Sequence, residues 1–240
     1  MKKIIADLSS KLRVNSSRMY LDEFTQTAAM SLPIGAHVLD AGAGKGLYKH
    51  HFNQHHYESA DFCQIDKEYG EITYVCDLAS IPVASNKYDL VLLTQVLEHL
   101  PKPEKVLVEL NRVLRAGGEL WLSTPLYYQE HEIPYDFYRY TQYGLQYLLE
   151  NTGFKIKQID WLEGYFGTLS YQLAIALRSL PWNPKHYGGG LLGIVGSIIA
   201  LIMKLNFAIF SIFLSQLDLR HKHTSSGHCK NYAIVAVKVN

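Results

Sequence analysis

Apolar and polar positions follow two rhythms along this chain. Apolar residues recur at three- and four-residue spacing, or they form short runs stopped by an acid, a glycine or a proline. Residues 16–32 carry Met19, Phe24 and Leu32 among polar positions, which predicts a helix. Pro33-Ile34-Gly35 breaks it. Residues 36–41 predict a strand that runs into a glycine-rich turn. A short helix rich in histidine (His50, His51, His55, His56) should follow. Further strands are expected within 57–64, at 72–76 and at 88–94. The last of these is almost wholly apolar, as suits a strand buried on both faces. Pro101 and Pro103 precede a helix over 104–114, with Val106, Leu107, Leu110, Val113 and Leu114 on one face and Gly117-Gly118 as its stop. A fifth strand at 120–123 stops at Pro125, a sixth fits 154–160 and a last one 232–239. Strands alternating with helices predict a parallel α/β sheet.

About 70 residues separate the last two strands. Residues 167–180 read as an amphipathic helix through Leu169, Leu173, Ala176, Leu177 and Leu180, stopped by Pro181 and Pro184. Residues 188–217 are then almost entirely apolar, with Lys204 their only charge. Neither half beside that lysine spans a bilayer comfortably. A lysine at mid-bilayer costs roughly 2.5–3.5 kcal/mol. On a helical wheel Gly193, Ser197, Ala200, Lys204, Ser211, Ser215 and Asp218 share one narrow face, with Asn206 on the far side. Such a stripe suits a helix lying in a membrane surface. It also suits packing against protein, and a true span is the third option. The leading expectation is one domain over 1–240, with a helical, membrane-associating insertion at 161–230. Contact through 188–217 would be peripheral, on the inner face of the membrane.

Composition narrows the class. The 23 basic and 22 acidic residues leave a net charge of +1, so no nucleic-acid footprint is visible. Cys63, Cys76 and Cys229 form no C-x-x-C pair, which suits a reduced, cytoplasmic protein. Residues Met1–Asp7 include lysines but no apolar run of signal-peptide length. The adjacent histidines, and His221, His223, His228 and Cys229, lack recognised metal spacing, so no metal is expected.

The glycine turn carries the first candidate chemistry. A P-loop requires glycine where Leu39 stands and Ser/Thr where Gly46 stands. The dinucleotide fingerprint requires glycine at Leu47, which disfavours a nicotinamide-dependent oxidoreductase. The pattern present is D-x-G-x-G-x-G: Asp40, Gly42, Gly44, Gly46. Asp61 follows Asp40 by about 20 residues, at the end of the second strand, where a carboxylate can accept two ribose hydroxyls. Asp77 follows the third strand and can accept from an adenine amine or form an Asx-turn. Thr94 and Gln95 end the fourth. All lie at carboxyl ends of predicted strands, where ligands bind on such sheets.

Residues 36–160 resemble the type 11 branch of the class I S-adenosylmethionine (SAM) methyltransferases. The segments that carry the likeness are VLDAGAGKG (38–46), CDLASIP (76–82), YDLVLLTQVLEHL (88–100), ELNRVLRAGGELWLSTP (109–125) and HEIPYDFYRYT (131–141). The resemblance implies a Rossmann-like, seven-stranded, mostly parallel sheet with an antiparallel last strand. It also implies SAM as cofactor, with Asp40 among the cofactor-binding residues, the three glycines passing its methionine part, Asp61 holding its ribose, Asp77 and Leu78 its adenine, and Gln95 lining the pocket. No [DN]-P-P-[YF] follows the fourth strand, which disfavours methylation of adenine or glutamine amides. The expected acceptor is a small molecule, a lipid-linked compound or an envelope glycan. A hydroxyl acceptor needs a base, for which His99, His131 and Asp136 are candidates. Tyr127, Tyr128, Tyr135, Phe137, Tyr138 and Tyr140 suit a lid over the pocket mouth, and Asp136 with Arg139 a lid-fixing ion pair. A SAM-binding partner protein without catalysis is the alternative reading.

Overall fold

A computed structural model describes residues 15–225 and 227–239. Met1–Asp7, read above for a signal segment, lie outside the described residues. One compact unit comprises Tyr20–Leu162 and the final strand, and the other Glu163–Lys230 with the first turn of helix α1.

The first unit is built on a seven-stranded sheet. Its strands are β1 (His37–Ala41), β2 (His56–Asp61), β3 (Tyr74–Val75), β4 (Tyr88–Thr94), β5 (Leu114–Pro125), β6 (Phe154–Trp161) and β7 (Asn231–Lys238). They lie in the order β3-β2-β1-β4-β5-β7-β6. The first five pair in parallel, and β7 runs antiparallel to both β5 and β6. The chain order reverses between β1 and β4, so a crevice opens beyond their carboxyl ends. Leu39, Leu90, Leu92, Leu93 and Leu120 are fully buried on the central strands. Helices α1 (Ser16–Met30), α2 (Pro103–Val113) and α3 (Gln142–Asn151) belong to this unit, apart from the first turn of α1. Thr141 caps α3 by accepting from the Gly144 N–H at 3.2 Å.

Three local expectations are corrected. The His-rich helix is a single 3-10 turn, Lys49–Phe52. Asp22, distant in sequence on α1, supplies the carboxylate that local spacing did not reveal, 2.9 Å from His51 Nε2 and 3.8 Å from His50. Gly117-Gly118 do not end a helix: α2 stops at Val113 and β5 begins at Leu114. The register jumps from Tyr88↔Leu114 to Leu90↔Glu119, and Gly117 takes up that irregularity at φ +71°.

The insertion forms the second unit. Helix α4 (Tyr165–Ser179) leads through a 3-10 turn at Pro184–Tyr187 to helix α5 (Gly190–Arg220). Their contacts run antiparallel. The Gly164 N–H donates to Asp218 Oδ2 at 3.2 Å, Ser170 Oγ to the Ser211 carbonyl at 2.6 Å, and Lys204 Nζ to the Leu177 carbonyl. Gly193 and Gly196 admit the returning segment, since a Cβ there would stand 2.5 Å from the Pro184 carbonyl oxygen and 2.6 Å from the Tyr187 side chain. The buried residues of α5 are Gly193, Ala200, Lys204, Ala208, Ser211, Ser215 and Asp218. The narrow polar stripe is therefore the seam against α4 and the Pro184–Tyr187 turn. The intramolecular option describes it, and the wide apolar face is left outside. Among the described residues, His221, His223, His228 and Cys229 form no common cluster: His223 meets Ser225, His228 meets Gln172, and Cys229 is buried.

Candidate functional site

The glycine turn is shaped from both sides. Gly42 and Ala43 donate to the Ala60 carbonyl at 2.7 and 3.3 Å, which binds the turn to the end of β2. Gly42, Gly44 and Gly46 have φ of +78°, +55° and +66°, a region that glycine enters without a Cβ penalty. A Cβ on Gly42 would stand 2.4 Å from Val96 Cγ2, whereas one on Gly44 would meet nothing within 4 Å. The turn is packed beneath Gly42 and open above Gly44.

Acids collect around it. Asp40 is buried and accepts the Tyr57 hydroxyl at 2.6 Å, while its Oδ1 has no partner among the described residues. Burial pushes its carboxyl up to about 6, against the Tyr57 hydrogen bond and with help from the charge of Asp61. Asp61 closes β2. Its two oxygens accept from the N–H groups of Gly44 and Cys63 at 2.9 and 3.0 Å. Asp77 is exposed and accepts from the Ala79 N–H at 2.8 Å, the Asx-turn geometry, with Leu78 buried beside it. Gln95 turns the chain out of β4 at φ +57°, held by the Ser123 carbonyl and hydroxyl. A non-glycine residue in this region costs of order 1–3 kcal/mol and is retained where surrounding structure holds it.

Two residues of the turn's frame were not singled out from sequence. Val96 fixes Gly42. Gly70 donates to the Gly44 carbonyl at 2.9 Å, and a Cβ there would meet the Lys45 carbonyl oxygen at 2.7 Å. An isolated glycine was the only signal for Gly70, and nothing local marked Val96.

Beyond β4, a 3-10 turn (Leu97–His99) meets the segment after β5. The N–H groups of Phe137 and Tyr138 donate to the Glu98 carbonyl at 2.9 and 3.2 Å. Phe62 meets Tyr135 edge-on, and Lys67 pairs with Glu132 at 2.9 Å. This segment therefore spans the ends of β2 and β4, as a lid must. Arg139 fixes it with all five donors: Asp136 Oδ1 and Oδ2 at 2.7 and 2.8 Å, and the carbonyls of Tyr128, Gln129 and Tyr138. That guanidinium holds the Asp136 carboxyl well below the usual range. Asp136 also accepts the His131 N–H at 2.8 Å. A carboxylate so engaged is a poor proton acceptor, so the geometry assigns Asp136 to the ion pair rather than to the base.

Glu98, His99 and His131 converge, with one polar atom of each within 4.8 Å of the others. Glu98 is fully buried. It accepts the Thr124 hydroxyl at 3.2 Å through Oε2, and its Oε1 has no hydrogen-bond partner among the described residues but stands 3.8 Å from His99 Nε2. Burial pushes it up to about 8, so it is mostly neutral at pH 7, and burial lowers His99. His99 Nδ1 faces the Tyr135 carbonyl, and His131 Nδ1 faces the Gln129 carbonyl at 3.2 Å and Asp136 Oδ2 at 3.4 Å. Those partners only accept, so Nδ1 is the donor in each ring and Nε2 is the nitrogen left for another partner. Sequence placed Glu98 beyond the fourth strand without giving it a role; its burial is a tertiary fact.

Residues 39–122 match the protein family described as a methyltransferase domain. Over 102 residues the chain is 32% identical to a malonyl-[acyl-carrier protein] O-methyltransferase of Hahella chejuensis, covering 37% of this chain and 36% of that protein. It is 28% identical over 102 residues to a ubiquinone biosynthesis O-methyltransferase of Coxiella burnetii, covering 38% and 44%. The chain thus spans less than half the length of either relative. Among solved structures, a Burkholderia thailandensis 1,6-didemethyltoxoflavin-N1-methyltransferase with bound S-adenosylhomocysteine aligns at TM-score 0.55, with 15% identity over 94% of this chain and 79% of that one. The [4+2]-cyclase SpnF aligns at TM-score 0.54, with 17% identity over 91% and 81%. These two establish the fold alone, since one is a methyltransferase and the other a cyclase. Sheet order, glycine turn and sequence match agree that residues 39–122 are a methyltransferase domain of the type 11 branch of the class I SAM-dependent methyltransferases, whose cofactor is SAM.

Proposed function

We propose that this protein transfers a methyl group from SAM to a hydroxyl of a small-molecule or lipid-linked acceptor, an envelope glycan among them, in the cytoplasm at the inner face of the membrane. The observation that carries the reading is the cradle at the ends of β1, β2 and β4. It has an open glycine turn and an unpartnered buried oxygen on Asp40, with acids at the ends of two strands. These residues fit SAM. Asp40 and Gly42–Gly46 would hold the amino-acid end, Asp61 the ribose, Asp77 and Leu78 the adenine, with Gln95 along the wall. SAM supplies an activated methyl group on a cationic sulfur, and the chain supplies alignment.

A hydroxyl loses its proton as the new C–O bond forms. His131 Nε2 is the acceptor for that proton, since its Nδ1 is fixed on the Gln129 carbonyl and Asp136. Glu98, mostly neutral at pH 7, adds little charge beside it. The aromatic lid excludes water from the transfer. Two relatives named as O-methyltransferases support an oxygen acceptor.

Calorimetry should give binding of SAM and S-adenosylhomocysteine and none of NAD. With a malonyl thioester and a hydroxylated quinone precursor as trial acceptors, His131→Ala should lower kcat about 10²–10⁴-fold and leave the SAM Kd within about twofold. Unchanged kcat removes His131 from the mechanism. SAM binding without transfer to any acceptor class favours the non-catalytic partner.

A further inference from the structure

We infer that the exposed face of α5 is a lipid-binding surface that lies flat in one leaflet of an anionic bilayer. This deepens the membrane placement proposed above, and lipid binding can fail or hold independently of methyl transfer.

Outside its seam, α5 is apolar almost without interruption. Leu191, Leu192, Ile198, Ile199, Ile202 and Phe213 are each more than half exposed, and other large apolar side chains lie between them. Residues 191–213 extend about 33 Å at the α-helical rise. Within 191–213 the exposed polar exception, Asn206, turns its amide back to donate to the Ile202 carbonyl at 2.9 Å. An apolar face this long does not stay in water without a partner.

Charge identifies the partner. Within Glu163–Lys230 the acids are Glu163 and Asp218, and both are fully buried. Within that same stretch the exposed lysines and arginines are Arg178, Lys185, Arg220 and Lys222. Lys185 precedes the apolar helix and the arginine and lysine at 220 and 222 follow it. Trp182, half exposed, stands near Lys185 in sequence. Bases at both ends of an apolar face, with an interfacial aromatic, match anionic headgroups over acyl chains.

The depth follows from Arg178. Its neighbour Leu177 accepts from Lys204, which lies midway along the apolar stretch. If α5 crossed the bilayer, the exposed guanidinium of Arg178 would sit near mid-depth, where charge is strongly disfavoured. With α5 flat, α4 covers the polar seam and Arg178 reaches water or headgroups.

Flotation of the full chain with sealed vesicles tests this. Vesicles of phosphatidylcholine with phosphatidylglycerol should carry the protein up the gradient, and pure phosphatidylcholine should carry much less. Ile202→Asp with Ile209→Asp, both exposed sites, should abolish flotation while leaving helix content unchanged by circular dichroism. Replacing Lys185 and Lys222 by alanine should weaken partitioning roughly fivefold per residue removed. Trypsin should cut after Lys185 on sealed vesicles as fast as after detergent. Failure to float on either vesicle, flotation that survives the aspartates, or a discrete dimer whose formation the aspartates abolish in the absence of lipid would overturn the inference. Protection at Lys185 that detergent releases would replace it with a span.

Discussion

In the proposed cradle, Asp40 would couple cofactor binding to pH through a single buried carboxylate. Its carboxyl stands at about 6 because burial outweighs the Tyr57 hydrogen bond. SAM presents a cationic ammonium and sulfonium, so ionised Asp40 receives it better than protonated Asp40. Below about pH 6 binding must first remove a proton, and the SAM Kd should rise by up to tenfold per pH unit down to pH 5. Between pH 6 and 7 it should level off. Asp40→Asn should bind weakly with no slope. Calorimetry in buffers of different ionisation enthalpy would detect the released proton. A wild-type Kd constant from pH 5 to 7 would take Asp40 out of contact with the cationic groups.

At the scale of elements, the glycine turn allows two substitutions to be told apart. Gly42→Ala meets Val96 at 2.4 Å and an unfavourable φ together, whereas Gly44→Ala meets the φ penalty alone. The latter should cost about 1–2 kcal/mol of stability, the left-handed penalty for an L-residue. The former should cost more and lower SAM affinity over tenfold, and adding Val96→Ala should restore part of it. Thermal melts and SAM titrations of the four proteins decide; equal costs at the two glycines would mean that Val96 does not set the turn. Local rhythm made much of this architecture readable. The strand at Tyr88–Thr94 was legible because its run is almost wholly apolar, and the place of Asp61 at the end of β2 because Ala60 and Phe62 flank it. What lay hidden depended on partners distant in sequence. Val96 under Gly42 was invisible, as were Asp22 beside His51, the burial of Glu98 and the turning of the α5 stripe toward α4. The wheel found that stripe, yet a polar face reads the same whether water or another helix covers it.

For the whole molecule, the two proposed ligands act on separate compact units. The cofactor cradle draws its residues from Tyr20–Leu162, and the lipid face from Glu163–Lys230. A ligand that binds only the native state protects the amides whose opening it opposes, by about 2.7 kcal/mol at a hundredfold excess over Kd. Hydrogen exchange should therefore map them apart. Saturating SAM should slow exchange at Gly44, Cys63 and the residues around Gln95, and leave α5 amides at their free rates. Anionic vesicles should slow exchange along residues 191–213, where the apolar face stands open, and leave the glycine turn unchanged. With both present, the two patterns should add. If SAM instead shifts exchange along α5, or vesicles tighten the SAM Kd, the two sites carry a coupling free energy, and by linkage the effect must appear in both directions with equal size. A shift in one direction only would mean that at least one of the two measurements is not reporting equilibrium binding to the native chain.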